Sequence, residues 1–398
     1  MAEAVIVDVV RTASGRGKIG GALSGIHPVD LLSTVLEALV RRTGLDPALI
    51  DDVIGGCVGQ VGEQSANITR QAVLAAGFPE HVPATTIDRQ CGSSQQAAAF
   101  AAQAVISGMQ DVVIACGVES MSRVPLGSQT LGQDFAGSKL RRRYPDGLVN
   151  QGISAELIAA RWGLSRARLD DFSAQSHARA ATAEQAGLFA DEIVPIEVMD
   201  ASGAARAHTV DETVRPTTTA AGLGALAASF RTDAYAQRFP QIEWAITPGN
   251  SSPLTDGASA ALIMSAEKAR ALGLRPRARF VSFAVVGDDP ILMLTGPIPA
   301  TARILARTGL SIGDIDAFEV NEAFAPVPLA WLAETGADPD RLNPRGGAIA
   351  LGHALGSSGT RLLATLVNQL EATGGRYGLQ TMCEGAGMAN ATLIERIG

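Results

Sequence analysis

At 398 residues, 46% hydrophobic and 18% charged, the chain has material for roughly two or three domains and an ample apolar core. Its formal net charge of −8 argues against general nucleic-acid binding and leaves room only for a local basic patch facing one phosphorylated ligand. Four cysteines, Cys57, Cys91, Cys116 and Cys383, stand far apart with no CxxC pair. That spacing argues against a disulfide framework or a structural zinc, and it fits a reducing cytoplasm.

The opening Ala4-Val5-Ile6-Val7-Asp8-Val9-Val10 reads as a buried strand with no basic region ahead of it, so no signal peptide is expected. No apolar run approaches the ~18 residues of a membrane span. Arg11–Leu23 is a Gly-rich loop. Pro28–Arg42 has helical periodicity with Asp30 in its first turns, and Ile50–Val58 is strand-like after an Asp-Pro turn. Asp88–Ala99 then sets Cys91 and a Gly-Ser-Ser turn ahead of an Ala-rich helix, Ala97–Ile106. A helix N-terminus favours the thiolate, the reactive form of cysteine. The plainer reading is a buried cysteine acting as a small hydrophobe.

Asp111–Gly117 is a short buried strand ending in Cys-Gly-x-Glu. Ser120–Gly249 is unlike its surroundings: polar loops, one long amphipathic stretch at Ser154–Ala186, and a Pro-Thr-Thr-Thr loop at Pro216–Thr219. It reads as an insertion, with the core resuming at Asn250–Ser265 through a strand at Ser259–Met264. The basic run Lys139–Arg143 within it is a solvated face or a phosphate site.

After a helix-like Ala300–Ala306 the chain echoes itself. Arg42-Thr43-Gly44-Leu45 returns as Arg307-Thr308-Gly309-Leu310, followed by the strand Ala317–Val320. A second Gly-rich turn opens a helix at Gly346–Leu366, and a second strand ends in Cys383-Glu384-Gly385. Two βα halves with largely parallel sheets, related by an approximate two-fold axis, are expected. Such symmetry sets Cys91 and His353 at the heads of equivalent helices. It also carries Cys383 and Asn321 toward the shared interface. Singly, His353 reads as a satisfied core histidine and Asn321-Glu322 as a strand end or cap. Together they supply a nucleophile, a base, a second acid/base and a polar anchor. Gly385 adds a backbone N–H able to face a developing anion. The set suits acyl transfer through a thioester with carbanion chemistry at a neighbouring carbon. Cys57 and Cys116 read as apolar fillers.

Six motifs now stand in order over essentially the whole chain. They are Asp-Arg-Gln-Cys91-Gly-Ser-Ser-Gln-Gln-Ala, Gly117-Val-Glu-Ser-Met-Ser-Arg-Val-Pro, Gly249-Asn-Ser-Ser-Pro-Leu-Thr-Asp-Gly-Ala, Asn321-Glu-Ala-Phe-Ala, Gly346-Gly-Ala-Ile-Ala-Leu-Gly-His353 and Cys383-Glu-Gly. This set resembles the thiolase family, most of all its bacterial degradative members, including those of steroid-ring breakdown. The resemblance implies an α/β fold: two βαβαβαββ halves in a layered α/β/α/β/α core, residues 1–119 with 250–268, and residues 269–398. Residues 120–249 would be an inserted loop domain, and the molecule a cytoplasmic homodimer or homotetramer without nucleic-acid or membrane partners.

It also implies thiolytic cleavage of a 3-ketoacyl-CoA to acetyl-CoA (or propionyl-CoA) and a shortened acyl-CoA, in fatty-acid degradation or in steroid or side-chain degradation. CoA is then a co-substrate, with no tightly bound cofactor and no metal. The alternative is an acetyl-CoA C-acetyltransferase that makes or cleaves acetoacetyl-CoA by Claisen chemistry. By the same resemblance Cys91 is the acyl-carrying nucleophile, His353 its base, and Cys383 the second acid/base. His353 and a water on Asn321 form one oxyanion site, and the N–H groups of Cys91 and Gly385 form the other. Ser252, Phe230, Ala323 and Arg215 fall along the CoA path.

Several positions depart from the family pattern. Ala354 replaces the proline after the histidine, which predicts a less rigid loop. Ala386 breaks a Gly-Gly-Gly, which predicts a methyl beside the oxyanion N–H. Asn150-Gln151 precede Gly152-Ile-Ser-Ala-Glu156 and leave the acyl pocket open, and Leu226-Ala-Ala replaces Leu-Lys-Pro. A long Arg231–Trp244 linker leans away from a dedicated acetoacetyl-CoA enzyme.

Overall fold

The computed structural model describes residues 2–199 and 203–398. In the first half the elements run β1 (Ala4–Thr12), α1 (Pro28–Thr43), β2 (Asp52–Gly56), α2 (Ile68–Ala75), β3 (Ala84–Ile87), α3 (Ser93–Ser107) and β4 (Val112–Ser120). Residues 121–254 leave the core, carrying α4 (Gln151–Arg161) and α5 (Arg166–Gln185), before β5 (Thr255–Ser265) closes this half. The second half runs β6 (Ala278–Gly287), α6 (Pro297–Thr308), β7 (Ala317–Val320), α7 (Pro326–Thr335), α8 (Ser358–Thr373), β8 (Tyr377–Glu384) and β9 (Met388–Arg396).

The strands lie in the order β7-β8-β9-β6-β1-β5-β4-β2-β3. The halves meet where β1 and β6, the first strand of each, pair antiparallel through Val5–Arg279 and Ile6–Ala278. A two-fold relation between equivalent strands requires that orientation. The expected largely parallel sheet is corrected. Along this order β7–β8, β2–β3 and β2–β4 are parallel and the five other pairings are antiparallel; off it, Arg11 and Thr12 of β1 also pair parallel with Ile193 and Val194. The cause lies in how each half ends. The tight turn 385–387 forces β9 back along β8, because so short a connection permits only an antiparallel pair. β5, which returns from the excursion 121–254, likewise runs against both β1 and β4. The echo is also incomplete: where the first half has β3, the second has a single parallel bridge between Phe318 and Leu342.

Strand alternation shows how the layers stack. Val5, Val7 and Val10 of β1 face α1 and α2, packing on Leu31, Leu32, Val35 and Leu39. Ala4, Ile6 and Val9 face the opposite way, onto Ala97, Ala101 and Val105 of α3 and Leu363, Leu366 and Val367 of α8. On the far side, Ala389, Ala391 and Leu393 of β9 join Ile304 of α6 and Trp331 of α7. The order is α/β/α/β/α, with α3 and α8 sandwiched between the two sheet halves. Small residues let these two helices touch. A Cβ on Gly359 would be driven into the backbone nitrogen of Gln95. Gly359→Ala is therefore expected to cost about 3 kcal/mol, the upper end of ordinary overpacking. Urea unfolding should show this as a lower midpoint at unchanged slope.

The stretch Ser154–Ala186, expected as one element, is two helices. Gly163 takes φ 61° after α4, and the Ser165 side chain accepts from Arg168 N–H to start α5 anew. Among the described residues no helix is long and apolar enough to cross a membrane.

Candidate active site

Cys91 lies on the turn between β3 and α3. Gln90 ahead of it takes φ 48°, a left-handed conformation that costs a non-glycine residue about 1–2 kcal/mol. Side chains hold the turn in place. Gln90 N–H donates to Asp88 Oδ1 (2.6 Å), Arg89 N–H to Ser93 Oγ (3.0 Å), and Ser93 O–H to the Gln90 carbonyl (2.6 Å). The thiol is buried against Leu362 and Met382, and the Gln151 side chain, at the start of α4, opposes the rise of its pKa. Burial first, and then the nearby Glu384 carboxylate, push its pKa up to about 12. The expectation that the helix terminus would favour a resting thiolate is therefore corrected. A helix end contributes at most about 2 kcal/mol, whereas burying an unpaired charge costs several.

His353 is likewise buried, and burial with the Arg361 cation lowers its pKa to about 3, so the imidazole is neutral. Its tautomer follows from its partners. Ser358 O–H donates to the Ala354 carbonyl (2.8 Å), so Ser358 Oγ accepts from His353 Nδ1–H at 2.7 Å. Nε2 is left as the proton acceptor and faces Asn321 Nδ2 at 3.4 Å. Asn321 directly follows β7. It is fixed by its N–H to the Thr381 carbonyl (3.0 Å), and its buried Oδ1 has no partner among the described residues. Ala354 adopts φ −69°, the angle a proline would impose, so the loop keeps that shape without the ring.

Cys383 is the last residue but one of β8 and is fully buried. Burial raises its thiol well above the ordinary value, and the Cys91 charge raises it further. The two sulfurs thus lie in each other's field. Gly385 packs on the Cys91 turn, where a Cβ would come within 2.9 Å of Gln90 Oε1. Ala386, next in the chain, takes φ 66° and is solvent-exposed.

Two carboxylates that carried no role in the sequence reading hold these pieces together. Glu119 accepts from the N–H groups of Val58, Gly59 and Gly356, each at 2.9 Å, and so ties the first half to the loop after His353. Glu322 accepts from Ser176 Oγ (2.7 Å), Asn343 Nδ2 (2.8 Å) and Ile349 N–H (3.1 Å), and so ties the Asn321 strand end to the loop before His353. Their sequence signal was a Glu at each core-strand end beside a Gly-rich loop.

Ser252, Phe230 and Ala323 come together. Ser252 N–H donates to the Ala323 carbonyl (3.0 Å), and Phe230 meets Phe324 edge-on at 6.1 Å. Arg215 does not join them by any hydrogen bond or ion pair among the described residues. It is exposed, and its backbone N–H donates to His177 Nδ1 (3.2 Å). Lys139–Arg143 lies on an exposed short helix, where Arg141 pairs with Asp134 at 2.7 Å. A solvated face describes it.

Residues 4–267 match the thiolase N-terminal domain, and residues 274–396 the thiolase C-terminal domain. The chain is 49% identical to a steroid 3-ketoacyl-CoA thiolase of Mycobacterium tuberculosis, covering 100% of this chain and 95% of that protein. It is 44% identical to a 3-ketoacyl-CoA thiolase of Serratia proteamaculans, with both chains covered in full. The crystal structure of the Bacillus anthracis acetyl-CoA acetyltransferase superposes with a TM-score of 0.88 at 36% identity, over 100% of this chain and 99% of that one. With both halves matched in sequence over nearly their whole length, the chain belongs to the thiolase family.

Proposed function

We propose that the protein cleaves 3-ketoacyl-CoA thiolytically to acetyl-CoA or propionyl-CoA and a shortened acyl-CoA. The observations that carry this reading are the pair of buried cysteines in mutual electrostatic contact and a neutral imidazole whose unprotonated Nε2 faces Asn321. One thiol with one base would suffice for simple acyl transfer. A second buried thiol is what carbon–carbon cleavage adds.

In this scheme His353 Nε2 takes the Cys91 proton as the sulfur attacks the 3-keto carbon. The coupling matters, because neither a thiolate nor an imidazolium is favoured at rest. The carbon–carbon bond breaks, and Cys383 gives its proton to the departing acetyl-CoA carbanion. Cys383 then takes a proton from free CoA, whose sulfur attacks the acyl-Cys91 thioester and expels the Cys91 sulfur, to which His353 returns its proton. His353 with a water on Asn321 stabilises the enolate, and the N–H groups of Cys91 and Gly385 stabilise the tetrahedral oxyanion. Ser252, Phe230 and Ala323 line the CoA path, with residues 120–249 as the unit that carries the coenzyme. Arg215 contributes only through its charge.

The open edge strand β3 suits pairing with a second copy in a homodimer or homotetramer. The scattered free cysteines suit the cytoplasm. The similarity to an acetyl-CoA acetyltransferase structure favours the second reading, a dedicated acetoacetyl-CoA enzyme.

Thiolysis of short, medium-chain and steroid-sized 3-ketoacyl-CoAs separates the two. We expect kcat/KM for the larger substrates to exceed that for acetoacetyl-CoA by at least about tenfold, equivalent to about 1.4 kcal/mol of transition-state binding. A preference for acetoacetyl-CoA would establish the second reading.

A further inference from the structure

Glu384 has no part in the mechanism above, yet it directly follows Cys383 and presses against the residue that follows Cys91. Its side chain is fully buried, and neither carboxyl oxygen has a hydrogen-bond partner among the described residues. A Cβ on Gly92 would collide with Glu384 Oε1 and come within 2.7 Å of Asn390 Nδ2, so both side chains crowd the same spot beneath the nucleophile turn. Asn390 Nδ2 donates to the Gly92 carbonyl at 3.0 Å, while its buried Oδ1 also has no partner. Asn390 stands opposite Met382 in the β8–β9 hairpin, which makes it the diagonal, same-face neighbour of Glu384. Three acceptor atoms without a donor are thus collected in one small buried space. A single proton on the carboxyl would supply the missing donor.

We propose that Glu384 is a positioning residue that works in its neutral form. Its O–H is donated to Asn390 Oδ1, which orients Asn390 to hold the Gly92 carbonyl, and the absence of charge keeps the space beside the two cysteines free of an anion. The proposal rests on the reading of Cys91 as nucleophile and adds a condition for its reactivity. The charged and titratable groups in the field of Glu384 are Asp88 and Arg89 on the nucleophile turn, Cys91, and Cys383 on its own strand. Glu119 acts on Cys91 from β4. Burial raises the Glu384 pKa to about 8, Arg89 opposes the rise and Asp88 adds to it. At neutral pH the proton is therefore in place. Above about pH 8 it leaves, and the carboxylate then disfavours both thiolates.

The test follows alkylation of Cys91 by iodoacetamide across the pH range. It uses the full-length wild type and Glu384→Gln, with the modified site identified by mass spectrometry. Glutamine keeps the shape and a donor, and it cannot ionise. The two rates should agree at about pH 6.5, and the variant should be roughly tenfold faster by about pH 9.5, one pKa unit of relief for the thiol. The wild-type profile alone should flatten near pH 8 before rising again, which keeps the proposal testable if the variant does not fold. A wild-type profile that climbs tenfold per pH unit without a break would overturn it, as would a rate ratio that is constant across the range. Trapping of an acyl group on wild-type Cys91 is measured in parallel. No adduct there would refute the nucleophile itself, an outcome separate from any behaviour of Glu384.

Discussion

Replacing Cys91 by serine should abolish the acyl-enzyme and lower thiolysis by at least about 10³-fold, the scale on which removal of a covalent nucleophile acts. An alcohol is a weaker acid than a thiol, and His353 is held so far toward its neutral form that it takes a proton only as bond formation proceeds. Any ester that did form would have to pass its acyl group uphill to a thiol. The fold should be unaffected. Cys91 contributes a small buried surface against Leu362 and Met382, and the turn is held by Asp88, Ser93 and backbone bonds that do not involve the sulfur. Intact-mass analysis after incubation with an acyl-CoA should show a wild-type adduct on the Cys91 peptide and none in the variant, at equal thermal stability. An adduct that survives in Cys91→Ser would move the nucleophile to another residue.

Much of this site is legible in the sequence, because its parts sit where local sequence and the repeat both mark them. Cys91 announces itself by a Gly-Ser-Ser turn and an Ala-rich helix, Asn321 by a polar pair after an apolar strand, and His353 by its glycines. What stayed hidden depends on contacts between distant segments. Glu119 acts through Gly356 of the other half, Ser358 fixes the histidine tautomer, and Glu384 is seen to face Gly92 only when the β8–β9 hairpin is laid against α3. The sheet departs from the parallel expectation for a similar reason. Alternating strands and helices suggest parallel pairing, but the strands that close each half, β5 and β9, run back against their neighbours. The thiolate expectation failed on magnitude. The helix terminus is real, but burial outweighs it.

Cys383→Ala should divide the reaction in two. Acylation of Cys91 by a simple acyl-CoA needs only Cys91, His353 and an oxyanion site, and it should stay within a few fold of wild type. Carbon–carbon cleavage asks for a proton at the leaving carbanion, and it should fall by about 10³-fold, within the range that positioned acid–base groups supply. The substitution is mild for the fold, since one sulfur leaves a core shared with Leu379, Ala389 and Val320, at a cost of about 1 kcal/mol. A second effect gives the assignment its sharpest check. The Cys91 charge raises the Cys383 pKa, and the coupling is reciprocal, so removing Cys383 takes away one source of resistance to the Cys91 thiolate. Alkylation of Cys91 at alkaline pH should therefore be no slower in the variant, and somewhat faster above the point where Cys383 ionises. Single-turnover measurements with a 3-ketoacyl-CoA and with a saturated acyl-CoA would read both steps in one preparation. Equal losses in the two would mean that Cys383 merely supports the nucleophile turn. Full retention of cleavage would place the second acid elsewhere in the site.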